Sequence, residues 1–319
     1  MLNRRILRIK AFKVLYGSVL ADNMSLSQAE AQLELSCEAA RDLYIYMLGI
    51  VSPLTNIAKE RIEAAKLKFN PTEAERNPNM KFAENALARL LDEDVDFQKV
   101  FKKKKFGWAQ YDLLLKNIMT SISSKEYFAE YMASEKRSLA DDCKLFIRIF
   151  EEEFVDSKEL EMLLEEKSLY WNDDLAYSLT WCCKTLKSIA KGEKWSMLPL
   201  YQSEMMSGEG VESDKFFARK LLQASFAGYQ KYSALVADTV VGWEKERLFS
   251  TDVVLIVMGL VEAVTFPTIP IKVTMNEYVE ISKFYGTPKS RSFVNGILDK
   301  LIQQLANEGQ ISKEGKGLL

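Results

Sequence analysis

Pro267-Thr-Ile-Pro-Ile-Lys-Val-Thr-Met-Asn-Glu-Tyr-Val-Glu-Ile-Ser-Lys-Phe-Tyr-Gly-Thr-Pro-Lys-Ser-Arg-Ser-Phe-Val-Asn-Gly-Ile-Leu-Asp299 contains the signals for two helices and the corner between them. Pro267 and Pro270 stop whatever helix precedes them. The run Lys272–Lys283 is amphipathic at helical spacing, with Val273, Val279 and Ile281 among its apolar positions. Gly286 is placed to end that helix as a C-cap. Thr287 then caps a second helix, with Pro288 at its first position. Gly296, inside the second helix, costs ~1 kcal/mol against alanine, so a close approach by another helix or a ligand is expected there. Lys289 and Arg291 beside an exposed Phe293 combine cations for phosphate with a ring for stacking. Asn295 is expected to order this junction through its amide, a buried capping role being the other reading.

Upstream, Val253–Ile271 is apolar apart from Glu262. A carboxylate near its middle and two prolines near its end make it a buried helix and not a membrane span. Further helices are expected at about 215–228, 229–246, 250–266, 272–284 and 288–306. The polar stretch from Ser207 to Asp214 reads as a linker, and the tail after Asn307 as a frayed end. Between Pro78 and Pro199 there are 120 residues without proline, and apolar residues recur there at three- and four-residue steps. With 7 prolines and 14 glycines in 319 residues, few and long elements follow, and the chain is read as all-α. The sequence divides into N-terminal helices at 1–50, a helical stretch at 51–214, a C-terminal helical part at 215–306 and a flexible tail at 307–319.

Histidine is absent. That excludes a Ser-His-Asp hydrolase, a histidine-based zinc site and a histidine-dependent phosphotransferase. Cys37, Cys143, Cys182 and Cys183 form no two-residue-gap pair, which fits free thiols in a reducing cytosol. The vicinal pair is expected on a helix, one thiol buried and the other at its flank. No strand followed by a glycine-rich turn offers a cofactor-binding sheet. No catalytic residue, cofactor or metal is expected.

The net charge of −2 hides a strong asymmetry: residues 1–21 hold Arg4, Arg5, Arg8, Lys10 and Lys13 and no acid, while 137–214 hold 17 acids against 9 bases. Arg8, Lys10 and Lys13 also interrupt any signal-peptide core, so a cytoplasmic chain is expected. A helix from about Leu2 to Leu20 would bury Leu7, Ala11, Val14, Leu15 and Ser18 and offer its basic residues outside. Arg4, Arg5 and Arg8 can fork onto phosphates, and Tyr16 supplies a ring for an unstacked base. Ser25-Leu-Ser-Gln28 is a capping box for a second helix to about Ile50. Lys102–Lys105, between Phe101 and Phe106 with Trp108 following, is either a further RNA-contacting run or a solvated helix end.

Ile269–Lys283, Phe293-Val-Asn-Gly-Ile-Leu-Asp299 and the opening Arg4-Arg5-x-x-Arg8-x-x-Ala11 with Leu15-Tyr16 together resemble the transcription antitermination factor NusB family. The resemblance covers roughly 1–50 and 215–305. It implies a NusB-like all-helical fold of two packed helical subdomains, here with a large helical insertion at 51–214. It implies a non-catalytic RNA-binding factor for boxA-like single-stranded RNA of ribosomal RNA leader transcripts. The partners it implies are the ribosomal protein NusE and the elongating RNA polymerase. By position, Arg4, Arg5, Arg8 and Tyr16 fall on the family's RNA-binding helix, and Lys289, Arg291, Phe293 and Asn295 on its second RNA-contacting element. Ile6 stands where relatives often carry another arginine. The competing readings are a helical protein–protein scaffold without RNA binding and an accessory domain of an rRNA-modifying system.

Overall fold

A computed structural model describes residues 1–21, 24–205, 213–240 and 250–318. The described residues form helices and no named strand; one isolated parallel bridge joins Leu2 to Tyr201. Two compact units emerge: Met1–Cys37 with Pro199–Leu319, and Glu38–Leu198. The sequence seams at 50 and 214 thus compare with unit seams at 37 and 198.

The first unit consists of α1 (Arg4–Leu20), the start of α2 (Leu26–Leu48) and four C-terminal helices. Ser25 and Gln28 exchange the expected capping-box bonds, and Asn3, whose Oδ1 accepts from Ile6 N–H at 3.0 Å, caps the first helix, which was expected to start at about Leu2. One helix covers Asp214–Thr239, where two were expected with a break after Gly228. The expected extension to 246 lies outside the described residues, as does most of the Ser207–Asp214 linker.

That long helix, and its neighbours at Ser250–Thr265, Ile271–Tyr285 and Ser290–Asn307, are the remaining members of the unit. The helix at Ser250–Thr265 is its centre. Every residue from Val254 to Ala263 is buried, and α1 and all three other C-terminal helices pack on it. A helix apolar on all sides needs a neighbour on each. Gly259 permits a close approach: a Cβ there would lie 2.7 Å from Leu298 Cδ2. Among the described residues no helix is long and apolar enough to cross a membrane.

The corner near residue 286 ends as the sequence indicates, with Gly286 N–H donating to Ser282 C=O at 3.0 Å. Its φ of −107° is not left-handed. The glycine is needed for space, since a Cβ would meet Ser290 Oγ at 2.4 Å. The last helix starts at Ser290, two residues later than Pro288. Gly296 departs from expectation in a different way. It is exposed, and a Cβ there would meet nothing within 4 Å, so no neighbouring helix requires it.

The tail does not fray as expected. Lys313 Nζ donates to Phe266 C=O at 2.9 Å, Glu314 N–H to Pro267 C=O at 3.1 Å, and Gly317 is buried. A Cβ on Gly317 would lie 1.9 Å from Pro267 O, so only glycine lets the tail close on that turn.

The second unit takes the rest of α2 and adds α3 (Val51–Lys66), α4 (Glu73–Arg76), α5 (Ala86–Glu93), α6 (Val95–Lys104), α7 (Asp112–Ser123), α8 (Glu126–Ala133), α9 (Leu139–Ile149), α10 (Lys158–Lys167) and α11 (Leu175–Ala190). The C-terminal helices of the first unit accordingly become α12 (Asp214–Thr239), α13 (Ser250–Thr265), α14 (Ile271–Tyr285) and α15 (Ser290–Asn307). Its core is rich in rings, with Tyr46 stacked on Trp108 at 4.4 Å and close to Phe106 and Trp171. Of the two readings of the Lys102–Lys105 run, this packing fits the solvated helix end and takes Phe106 and Trp108 away from an RNA-contacting one. Lys102–Lys105 are exposed at the end of α6, but Trp108 is buried and Phe101 packs on Phe97 and Phe106.

All four cysteines are buried thiols, including both members of the vicinal pair, where one was expected at the helix flank. Burial pushes the thiol of Cys143 up to about 12 and that of Cys183 to about 11. Only about one Cys183 in a thousand is then thiolate at pH 8. The folded protein should therefore leave all four thiols essentially unlabelled by a disulfide reagent at pH 8, and guanidinium should release four. Rapid labelling of one thiol in the native protein would contradict this packing.

Candidate nucleic-acid interface

The N-terminal arginines have carboxylate neighbours in the fold. Arg8 is 2% exposed. Its Nε and Nη2 donate to the two oxygens of Glu262, each at 2.7 Å. Thr274 Oγ1 and Tyr278 Oη donate to the same oxygens at 2.8 and 3.1 Å. Each Glu262 oxygen thus receives two hydrogen bonds, which satisfies a buried carboxylate. Burial opposes the Arg8 charge, but the Glu262 carboxylate more than offsets it and holds the guanidinium above its ordinary pKa. Arg8 was expected to reach phosphate; here it is committed to the core. Lys10 is buried as well, so the basic face is thinner than the sequence indicates.

Arg5 and Arg4 stay nearer the surface. Arg5 is half exposed and forks onto Glu277 with bonds of 2.9 and 2.7 Å, which raise its pKa. Arg4 lies 3.6 Å from Asp214, and its guanidinium stands over Phe217 at 4.8 Å. Arg8 approaches the same ring at 5.1 Å.

Contacts from Arg5 to Glu277 and from Phe12 to Tyr285, centroids 5.4 Å apart, show that α1 and α14 run side by side in the same direction. Lys13 Nζ stands 5.5 Å from the Tyr285 ring centroid. At the end of α1, Tyr16 accepts from Ser250 Oγ at 3.3 Å, in the first turn of α13. Two residues on, Asp252 accepts from Ser290 Oγ at 2.8 Å, at the start of α15. Burial raises the Asp252 pKa, and the Ser290 hydrogen bond partly counters it. The first turn of α13 therefore holds both Tyr16 and the start of the last helix.

Lys289, Arg291 and Asn295 are exposed there, and Phe293 is partly exposed. Exposure settles Asn295 as a surface amide and removes the buried capping role. Phe284, 78% exposed at the end of α14, is a ring that periodicity missed. It falls beside Lys283 and ahead of Gly286, and an aromatic before a C-cap ordinarily reads as core.

A NusB family model matches residues 186–303. The transcription antitermination protein NusB of Salinibacter ruber is 32% identical over 137 residues, covering 39% of this chain and 86% of that relative. The chain belongs to the NusB family. The NusB proteins of Chloroherpeton thalassium and Syntrophotalea carbinolica are 33% and 34% identical over 105 and 103 residues, which cover 33% and 32% of this chain. The chain spans 50% and 64% of those two relatives. No solved structure matches. The NusB match begins within α11 and takes in all of α12, α13 and α14 and most of α15.

Within the first unit Arg8 and Arg5 should separate sharply on substitution. Removing one partner of a buried ion pair costs about 3–5 kcal/mol, whereas an exposed pair contributes about 0–1 kcal/mol. Arg8→Ala should therefore lower the urea midpoint markedly and Arg5→Ala barely move it. Equal midpoints for the two variants would remove Arg8 from the core.

Proposed function

We propose that the chain is a non-catalytic RNA-binding factor in transcription antitermination. It takes boxA-like single-stranded RNA of ribosomal RNA transcripts, together with the ribosomal protein NusE, and presents it to elongating RNA polymerase. Residues 51–214 are proposed as a helical insertion in this factor. The observation that carries the reading is the anchoring of Tyr16 and of the start of α15 on the first turn of α13. Phosphates would be met by Arg4, Arg5, Lys13, Lys289 and Arg291, and splayed bases by Tyr16 and Phe293, with Asn295 hydrogen-bonding nearby. Arg8 serves this surface from beneath by fixing α1 on α13.

Gly296 supports the same reading. An exposed glycine inside a helix, with no protein atom near it, leaves backbone bare where a ligand can come close. Gly296→Ala should stabilise the fold by up to about 1 kcal/mol. It should nevertheless weaken RNA binding, as measured by melting and by RNA titration of the same variant. A stabilised variant with unchanged RNA affinity would count against RNA approach at this helix.

The neutralised arginines favour one second reading, a helical scaffold that docks proteins only. Salt dependence separates the two. Three to five released counterions on single-stranded RNA give a slope of log affinity against log salt of roughly −2 to −3.5. Titrating a boxA-like RNA at several salt concentrations, with and without the ribosomal protein, should return that slope. A flat response or no binding leaves the scaffold.

A further inference from the structure

The C-terminal tail closes on the Pro267–Pro270 turn through Lys313, Glu314 and Gly317. This brings Lys316 to the start of α1, more than 300 positions away in the chain. There it joins Arg4, Arg5 and the Glu277 carboxylate that Arg5 holds around an open cavity of about 610 Å³. Lys316 is exposed and makes no ion pair with the described residues. Arg5 uses two of its five N–H donors on Glu277, and the rest of its half-exposed guanidinium remains available. Ile269, Pro270 and Val273 form an apolar wall of the same cavity, and Val273 is exposed.

We propose that this cavity is a phosphate-binding subsite for single-stranded RNA, with Lys316 as the arm supplied by the tail. The inference rests on the RNA-binding reading above and extends it to a part of the chain that reading does not use. Cations at the rim suit a phosphodiester, and an apolar wall suits the face of a sugar or base. A volume of about 610 Å³ exceeds what an isolated anion needs. The cavity also lies on the α1 line. Arg5 and Tyr16 are eleven residues apart, about 16 Å along a helix, so one strand could run from the cavity to the rings.

Titrations of a boxA-like RNA over a range of salt test this with Lys316→Ala, Lys316→Arg, Gly317→Val and Arg291→Ala. Lys316→Ala should weaken binding three- to tenfold at low salt and make the salt slope shallower by about 0.7–1, the loss of one phosphate contact. Lys316→Arg should restore both values. Gly317→Val, whose side chain collides with Pro267 O, should reproduce the Lys316→Ala loss with unchanged helical circular dichroism. If Arg291→Ala weakens RNA binding and Lys316→Ala changes neither affinity nor slope, the subsite is overturned while the RNA reading stands. If Lys316→Ala leaves RNA binding intact and instead weakens an acidic protein partner, the cavity is a peptide site and the proposal also fails. Absence of salt-dependent RNA binding by the unaltered protein would remove both.

Discussion

The ion pair between Arg8 and Glu262 is the constraint on which the first unit depends. Glu262 is the one carboxylate in the continuously buried run Val254–Ala263 of the central helix, and burying it alone would cost several kcal/mol. Arg8 answers that charge from α1, while Thr274 and Tyr278 answer it from α14. One side chain thus registers three helices. The register matters because the neighbouring residues of α1, from Arg5 to Tyr16, take their positions along α14 from it. A hydrophobic pair could hold the helices together as strongly, but it would not fix which turn of α1 faces which turn of α14.

The family signature and the charge arithmetic describe the N-terminal helix differently. Five cations without an acid make the first 21 residues look like a free basic face. In the fold, Glu262, Glu277 and Asp214 stand opposite Arg8, Arg5 and Arg4. The field offered to a polyanion is then weaker along α1 than the charge count indicates and draws also on the exposed Lys289 and Arg291 around the start of α15. Affinity in such an arrangement comes from several modest contacts and not from one arginine cluster.

Much of the fold was legible because its signals are local. The capping box before α2, the proline stop at 267–270 and the Gly286 corner are short-range chemistry, and each acts close to where the sequence marks it. Features fixed by distant partners were not legible. Arg8 sits one position from Leu7 and three from Ala11, at the edge of the buried stripe, and its partner lies 254 residues away. Glu262 was visible as an oddity in an apolar run. Pairing the two oddities was the available signal. The tail misled for the same reason: Gly and Lys read as fraying, yet Gly317 is the residue whose small size permits docking. Phe101, Phe106 and Trp108 left two readings open because an aromatic beside lysines can face either way, and the second unit claims these rings.

The discontinuity of the first unit has a consequence for synthesis. At about 5–20 residues per second, the ribosome makes Glu262 roughly 10–50 s after Arg8. During that interval α1 has no central helix to lie on, whereas Glu38–Leu198 emerges as an uninterrupted segment with its own core. The basic, half-apolar leading helix therefore waits in solvent until the last third of the chain arrives. Its charged residues help keep it soluble meanwhile, and Arg8 loses its hydration only when α13 docks.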